Sequence, residues 1–162
     1  MRVGIRATEP SKMTTAEKHE FIAFVRKAGE VGAATLPNLV DHAVALVTLR
    51  DGQTLIGTAA IKKPNDGYRR QQFIKAKVEG LTDAYRLELG WVHVHPNHRH
   101  KGHGHALVAK AVEAVPGQGL YATTKNDEMR PILEAYDFAV QGIPYPSEQN
   151  SAAKLALFVR PA

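Results

Sequence analysis

Between residues 86 and 115 an apolar strand, a basic turn and an amphipathic helix follow one another directly, and this succession constrains the fold most. Residues 86–94 have the composition of a strand, and apolar side chains recur at helical spacing from 104 to 115. Pro116 and Gly117 end that helix. A helix that starts at once after a strand presents unpaired N–H groups at its positive end. The segment therefore predicts an α/β fold with a site for a phosphate or pyrophosphate.

The residues of the turn suit such an anion site. Gly102 and Gly104 let the backbone approach an anion without an intervening Cβ, and Arg99 and Lys101 add positive charge. The turn is neither of the two common nucleotide loops, because Leu107 stands where the dinucleotide motif needs glycine and no Gly-Lys-Ser/Thr sequence occurs. An ordinary solvated strand–helix turn is the alternative.

The other predicted elements describe one mixed α/β domain over residues 1–162. Thr14 or Thr15 is expected to cap a first helix, whose buried stripe would include Phe21, Ile22, Val25 and Ala28. Asn126 or Asp127 is expected to cap a late helix that reaches Tyr136. Predicted strands cover 2–8, 43–49, 54–61, 86–94, 120–124, 138–143 and 154–159, and further helical pieces cover 35–39 and 68–78.

Composition limits the class of protein. No stretch approaches the roughly 20 apolar residues needed to cross a bilayer, and the first ten residues lack the apolar segment of a signal peptide. There are no cysteines, which excludes disulfides and a cysteine nucleophile. We therefore expect a cytoplasmic protein without a membrane segment.

The net charge and the histidine content bear on whether the chain binds nucleic acid or a metal. The net charge of +5 and the pI of about 9.5 suit an anionic partner, but the basic residues are dispersed, so nucleic acid is not favoured. Six of the eight histidines lie between 93 and 105. No acidic residue or cysteine joins them at metal-ligand spacing, so no metal is expected, and the imidazoles can instead hydrogen-bond a phosphate.

The turn carries a family resemblance. Arg99-His100-Lys101-Gly102-His103-Gly104 resembles the Arg/Gln-x-x-Gly-x-Gly/Ala acetyl-CoA signature of the GNAT superfamily, and Val94-His95-Pro96 resembles the Val-x-Pro before it. Asn126 and Asp137-Phe138 are similar to the family's later Asn…Gly-Phe frame. The resemblance implies a mixed, mostly antiparallel sheet of six or seven strands with about four helices. It also implies a splay between the strands at 86–94 and 120–124.

The resemblance further implies how acetyl-CoA is held. Its pyrophosphate would lie on the N–H groups of Gly102 to Ala106, its pantetheine arm beside the strand that ends at Val94, and the N–H near Val92 would polarise the thioester carbonyl. The implied cofactor-binding residues are Val92, His93, Val94, Arg99, His100, Lys101, Gly102, His103, Gly104, His105, Ala106 and Asn126.

Glu88 is the predicted general base. An acceptor amine is mostly protonated at neutral pH and must lose a proton before it attacks. Glu88 lies eleven residues before Arg99, the spacing that GNAT enzymes with a glutamate base on this strand use. Alternation would place it on one face with Gly90 and Val92 unless a bulge intervenes. A salt bridge to Arg86 or a basic loop is the structural alternative, and His93 is a reserve base.

The general acid departs from the family pattern. Relatives often carry a tyrosine seven residues after the helix asparagine, where Leu133 stands here. Tyr136 lies one turn later and is the first candidate, and Tyr145 is the second. Asp137 replaces a glycine, but aspartate tolerates the left-handed conformation that ends a helix.

The acceptor is predicted only by class. Tyr68, Arg69 and Phe73 are the expected acceptor contacts, and the basic residues around them favour an acceptor that also carries negative charge. The resemblance implies transfer of acetyl from acetyl-CoA to a primary amine of a small molecule or peptide. The alternative, motivated by Leu133, is a non-catalytic CoA-binding regulatory or partner-binding module. A homodimer is left open.

Overall fold

Seven strands form one sheet in this computed structural model, which describes residues 2–29, 34–148 and 151–162. In these ranges no helix has the length and apolar character required to cross a membrane. The strands are β1 (Val3–Thr8), β2 (Ala45–Asp51), β3 (Thr54–Lys62), β4 (Leu87–Val94), β5 (Leu120–Thr124), β6 (Ala139–Pro146) and β7 (Lys154–Arg160). The helices are α1 (Thr15–Lys27), α2 (Leu36–Asp41), α3 (Asp66–Lys75), α4 (His103–Glu113) and α5 (Met129–Ala135), with 3₁₀ turns at Pro10–Lys12, Glu79–Ala84 and Pro96–His98.

The strand order is β1-β2-β3-β4-β5-β7-β6. The antiparallel pairs are β1–β2, β2–β3, β5–β7 and β6–β7, and the parallel pair is β4–β5. The predicted mixed, mostly antiparallel sheet is confirmed. The parallel register comprises two residue pairs, Leu87↔Leu120 and Glu88↔Tyr121.

The chain divides into two compact units. The first contains Met1–Lys63 and Leu89–Val115, and the second contains Pro64–Glu88 and Pro116–Ala162. Each unit has its own cluster of buried apolar side chains. In the first unit α1 and α2 contribute half of the cluster, which consists of Met13, Phe21, Ile22, Val25, Leu36, Val40, Ala43, Leu46, Ala60 and Trp91.

Helix α1 begins with a capping box, as its sequence predicts. The Thr14 hydroxyl accepts the Glu17 N–H at 3.1 Å, and the Glu17 carboxylate accepts the Thr14 N–H at 2.9 Å. These hydrogen bonds, the backbone one first, lower the pKa of Glu17. Ala28, which the predicted stripe included, is exposed because α1 ends before it and Ala28 is the C-cap.

Helix α4 is anchored through its apolar face. Leu107, Val108 and Ala111 are fully buried, and burial of a leucine or valine side chain contributes about 1.5–3 kcal/mol. A Cβ built on Gly57 of β3 would come within 3.1 Å of the Leu107 side chain, so helix and sheet pack closely. The N-terminus of α4 is therefore held at a defined place above the sheet.

The polar segment predicted between 62 and 85 forms α3 and a 3₁₀ turn. Asn65 caps α3, with its side-chain oxygen accepting the Tyr68 N–H at 2.7 Å. Phe73 stacks on Tyr85 at 6.3 Å between ring centroids and meets Tyr121 edge-on at 5.2 Å. α3 is thus part of the core of the second unit, with Phe73, Ala76, Tyr85, Tyr121, Tyr145, Leu157 and Val159.

Helix α5 differs from its prediction at the start and agrees with it at the end. The helix begins at Met129 with Glu128 as N-cap, so the predicted cap was wrong. Asn126 instead forms a preceding turn, with its side-chain oxygen accepting the Glu128 N–H at 2.9 Å. Asp137 has φ of 69°, and the Phe138 N–H bonds the Leu133 carbonyl at 3.1 Å, which confirms the left-handed helix end.

Replacing Gly142 by alanine should destabilise the second unit strongly. Gly142 has φ of +70°, and a Cβ there would overlap the Ala76 carbonyl oxygen, which also accepts the Ile143 N–H. We expect Gly142→Ala to lower the free energy of unfolding by about 2 kcal/mol or more in urea denaturation. Gly80→Ala, where a Cβ meets nothing within 4 Å, is the matched control. Equal stabilities of the two variants would contradict the prediction.

Candidate active site

Strand β4 contains a local break in its geometry at Trp91. The φ of Trp91 is 51°, which is an outlier for an aromatic residue in a strand and marks a bulge. A bulge shifts the side-chain alternation by one position. The predicted shared face of Glu88, Gly90 and Val92 is therefore wrong beyond Gly90.

Contacts within the first unit hold this break in place. The Trp91 side chain is 5% exposed, and its ring meets Phe21 edge-on at 6.2 Å. The Lys62 ammonium lies 4.8 Å from the centroid of the Trp91 ring. The Trp91 carbonyl accepts a buried hydrogen bond from the Thr58 hydroxyl at 2.8 Å. Ring packing and a hydrogen bond thus stabilise a backbone conformation that tryptophan rarely adopts.

The turn after β4 is organised by local hydrogen bonds. The His95 carbonyl accepts the His98 N–H at 2.8 Å, and the His95 ring accepts the Asn97 N–H at 3.1 Å. Arg99 donates from Nε to the Val94 carbonyl at 3.1 Å, which ties its guanidinium to the end of β4. The turn therefore places the Arg99 charge directly before α4.

The first amides of α4 decide whether an anion can bind there. Gly102 is the N-cap with φ of 82°, and the Ala106 N–H donates to the Gly102 carbonyl at 3.2 Å. The predicted role of the Ala106 N–H is therefore wrong, because the helix itself uses that group. In the described part of the chain, the N–H groups of Gly102, His103 and Gly104 have no hydrogen-bond acceptor. These three amides lie at the positive end of the helix dipole.

The histidines around this turn are spread along it. The rings of His95 and His98 meet edge-on at 5.8 Å, and His93 is half-buried in β4. Among residues 2–29, 34–148 and 151–162, no three histidine, aspartate or glutamate side chains are grouped to hold a metal ion. His100 has φ of 62°, so it takes part in reversing the chain before Gly102.

The second unit buries the predicted base. Glu88 is 4% exposed, and its carboxylate accepts a hydrogen bond from the Tyr121 hydroxyl at 3.3 Å. The two residues face each other in the parallel register of β4 and β5. Arg86, the predicted structural partner, forms no ion pair within the described residues. The predicted base is thus a buried carboxylate with a tyrosine hydroxyl as a hydrogen-bond donor.

Tyr121 was not predicted as a site residue. Its strand was predicted, but the register that places it opposite Glu88 cannot be read from a single strand's sequence. Burial, and next the charge of Glu88, raise the pKa of Tyr121 far above that of free tyrosine. The same two causes raise the pKa of Tyr145. Both hydroxyls therefore stay protonated hydrogen-bond donors in the folded protein.

The candidates for general acid have different surroundings. Tyr145 is 3% exposed and donates from its hydroxyl to the Gln72 side chain at 2.7 Å. Tyr136 is half-buried at the C-cap of α5, where its carbonyl accepts Arg160 Nε at 2.9 Å. Leu133, at the family's usual tyrosine position, is 1% exposed and belongs to the apolar core. Position 133 therefore has no hydroxyl to donate a proton, whereas Tyr145 and Tyr136 each have one.

Two of the three predicted acceptor contacts are buried. Phe73 is fully buried in the aromatic cluster, so it cannot contact an acceptor that arrives from solvent. Arg69 is 4% exposed, and its guanidinium lies 3.4 Å from Asp66 and 3.9 Å from Asp83. Arg69 therefore does not present a free charge to an acceptor. Tyr68 is 42% exposed and remains available.

Residues 12–137 match the model of the family described as "Acetyltransferase (GNAT) family". No curated protein matches the sequence.

Solved structures share the fold. An acyl-CoA N-acyltransferase from Pseudomonas aeruginosa is 11% identical, with a TM-score of 0.71 over 98% of this chain and 99% of its own. The yncA protein of Salmonella typhimurium, solved with its cofactor acetyl-CoA, is 14% identical, with a TM-score of 0.66 over 99% and 94%. The ribosomal-protein-S18-alanine N-acetyltransferase of Escherichia coli is 13% identical, with a TM-score of 0.67 over 98% and 94%. At these identities the likeness is one of fold.

Stability at high pH should depend on Tyr121. An unfolded tyrosine ionises near pH 10, whereas the raised pKa of Tyr121 keeps its proton in the folded state. Above pH 10 the folded protein keeps the Tyr121 proton that the unfolded chain has lost. The free energy of unfolding therefore falls by up to about 1.4 kcal/mol per pH unit for this group. Tyr121→Phe should make that fall shallower in denaturant titrations at pH 9, 10 and 11. The same slope in both proteins would contradict the assignment.

Proposed function

This chain belongs to the acetyltransferase (GNAT) family and is thereby an acetyl-CoA-dependent N-acetyltransferase, and we propose that it acetylates a primary amine of a small molecule or peptide by direct attack in a ternary complex. The observation that carries the proposal is the start of α4, where the amides of Gly102, His103 and Gly104 lack an internal acceptor. They are the last three residues of the Arg-x-x-Gly-x-Gly sequence at 99–104.

The donor would bind along the first unit. The three amides and the charges of Arg99 and Lys101 suit a pyrophosphate. The backbone of β4 from Val92 to Val94 would pair with the amide-containing pantetheine arm, and the Val92 N–H would stabilise the negative charge that develops on the acyl oxygen. His93, His100, His103, His105 and Asn126 are the remaining proposed contacts. Support comes from yncA, a solved structure of the same fold that contains acetyl-CoA.

Glu88 would take the proton from the acceptor ammonium. The free amine then forms the new C–N bond with the acetyl carbon while the C–S bond to CoA breaks. Burial of Glu88 excludes bulk water, and the Tyr121 hydroxyl fixes one carboxylate oxygen. Both features suit a base that must accept one proton from a positioned donor. Tyr68, which is exposed, is the proposed acceptor contact.

A tyrosine would return a proton to the CoA thiolate. Tyr136 was the first candidate on sequence grounds. Tyr145 remains the second candidate. Burial and the charge of Glu88 raise the pKa of its hydroxyl, which keeps the proton in place but makes the group a weaker acid. Tyr136→Phe and Tyr145→Phe separate them, because only loss of the true donor lowers kcat without changing acetyl-CoA affinity.

We also propose that residues 1–162 act as one catalytic domain in the cytoplasm, and that the active form is a monomer or a homodimer. The absence of cysteine suits a reducing compartment. The alternative function, a CoA-binding module without catalysis, keeps its motive in Leu133, since a core leucine cannot donate a proton.

The anion site is tested by placing a negative charge at its centre. His105 is exposed in the first turn of α4. A carboxylate at this end of the helix interacts favourably with the helix dipole and stabilises the fold by about 0.3–1 kcal/mol. His105→Glu should therefore leave thermal stability unchanged or higher and weaken acetyl-CoA binding about tenfold or more in calorimetry. His105→Gln removes the imidazole without adding charge and is the matched control. Undiminished affinity in His105→Glu would place the pyrophosphate elsewhere.

The base is tested with Glu88→Gln, which keeps a hydrogen-bond acceptor for Tyr121 but removes the basic carboxylate. We expect kcat to fall about 10²- to 10⁴-fold while the acetyl-CoA Kd stays unchanged. Acceptors come from a mass-spectrometric screen of small primary amines and peptides. Glu134→Gln on the exposed side of α5 is the control.

Two results would decide against parts of this proposal. Unchanged turnover of Glu88→Gln between pH 6 and 9 removes Glu88 from the mechanism. Tight acetyl-CoA binding by the wild-type protein with no acetylated product across the screen favours the non-catalytic module.

A further inference from the structure

A buried threonine of β3 reaches the main chain of β4 at the bulge. Thr58 is fully buried, and its hydroxyl donates to the Trp91 carbonyl at 2.8 Å. The Thr82 hydroxyl bonds the Glu79 carbonyl at 2.6 Å within one turn, whereas the Thr58 bond joins residues 33 positions apart. It is therefore a bond that only the folded sheet can create.

The side of the sheet on which Thr58 lies follows from its neighbours. A Cβ on Gly57 would point at Leu107 of α4. Successive strand residues point to opposite faces, so Thr58 lies on the opposite side of the sheet. Ala60 shares that side with Thr58 by alternation, and it packs in the cluster that contains Phe21 of α1.

A regular strand carbonyl lies in the plane of the sheet, where a side-chain hydroxyl of the adjacent strand does not normally reach it. The positive φ of Trp91 rotates this peptide group away from the regular ladder. The carbonyl turns toward the α1 side and meets the Thr58 hydroxyl there. The hydrogen bond thus selects one orientation of the peptide that joins Trp91 to Val92.

The orientation of that peptide also sets the direction of the Val92 N–H. In a planar trans peptide the carbonyl and the following N–H point in opposite directions, and the chain has no cis peptide bond in its described ranges. The Val92 N–H therefore points away from Thr58 and from the α1 side. The parallel register of β4 with β5 comprises Leu87 and Glu88 and does not extend to Val92.

We propose that Thr58 is a positioning residue for acyl transfer, because its hydroxyl locks the peptide whose N–H polarises the acyl carbonyl. This inference rests on the proposed function. Thr58 acts through the peptide and contacts neither substrate in this proposal. Loss of the hydroxyl would let the peptide rotate and would weaken the hydrogen bond to the developing negative charge.

The test compares the polarisation of a bound carbonyl in three proteins. The probe is the dethia form of acetonyl-CoA, a ketone analogue of acetyl-CoA in which a methylene replaces the thioester sulfur. It is labelled with ¹³C at the carbonyl and observed by isotope-edited infrared spectroscopy. Thr58→Val removes the hydroxyl at nearly constant volume, and Thr58→Ser restores it. Thr48→Val is the matched control, because Thr48 is 8% exposed, lies opposite Thr58 in the β2–β3 register, and makes no hydroxyl hydrogen bond in the described chain.

We expect the carbonyl band of the Thr58→Val complex to lie at higher frequency than in the wild type, with Thr58→Ser and Thr48→Val matching the wild type. Turnover should fall about 10- to 100-fold in Thr58→Val, with the KM for acetyl-CoA changed less than about threefold. A merely structural threonine would alter stability or folded fraction but not the band of the folded complex.

Because Thr58→Val leaves a buried carbonyl without its donor, some loss of stability is expected. Thr58→Cys keeps a weak S–H donor, so its carbonyl band should lie between those of the wild type and Thr58→Val. A wild-type band in Thr58→Val overturns the inference and leaves the proposed function intact. Failure of the wild-type protein to bind this ketone analogue overturns the proposed function, and the inference with it.

Discussion

A helix cannot satisfy its own first N–H groups, and in this protein the start of α4 is where that physical limit becomes useful. Gly102 adopts φ of 82°, which turns the chain into the helix, and the helix then uses the Ala106 N–H for its first internal hydrogen bond. The amides before it lack an internal acceptor. The buried face of α4 holds this terminus against the sheet, so the donors do not have to be ordered when an anion binds.

At the bulge in β4, too, a backbone group is oriented by the side chains packed around it. A tryptophan with φ of 51° is costly by itself. Packing against Phe21, the Lys62 contact and the Thr58 hydrogen bond compensate that cost within one unit of the chain. The result is a peptide group with a single defined orientation in the middle of a strand.

The second unit contains a different device, a carboxylate in an aromatic cluster. Glu88 is almost fully buried, and a buried polar group must be hydrogen-bonded to be tolerated. Tyr121 provides that bond, and its own burial against Phe73 fixes where the hydroxyl lies. The basic residues of α3 serve another purpose, since Arg69 is compensated by Asp66 and Asp83 and does not present its charge to solvent.

The sequence by itself determined most of the elements, the family and the strand–turn–helix succession that leaves amides unpaired at the start of α4. Hydrophobic period, the Thr14 cap and the Arg99-to-Gly104 motif are local signals, and each lies within a few residues of the structure it specifies. It also predicted the left-handed end of α5 at Asp137, because that depends on the side chain of one residue.

Only the tertiary structure decided which side chains meet. The register that places Tyr121 opposite Glu88, the burial of Arg69 and Phe73, and the bond from Thr58 to Trp91 join residues far apart in the chain. The bulge at Trp91 removed the condition, a regular strand, on which the predicted alternation from Glu88 to Val92 depended. The physical reason is that periodicity records which residues are buried, whereas partners and local backbone rotations are set by long-range packing.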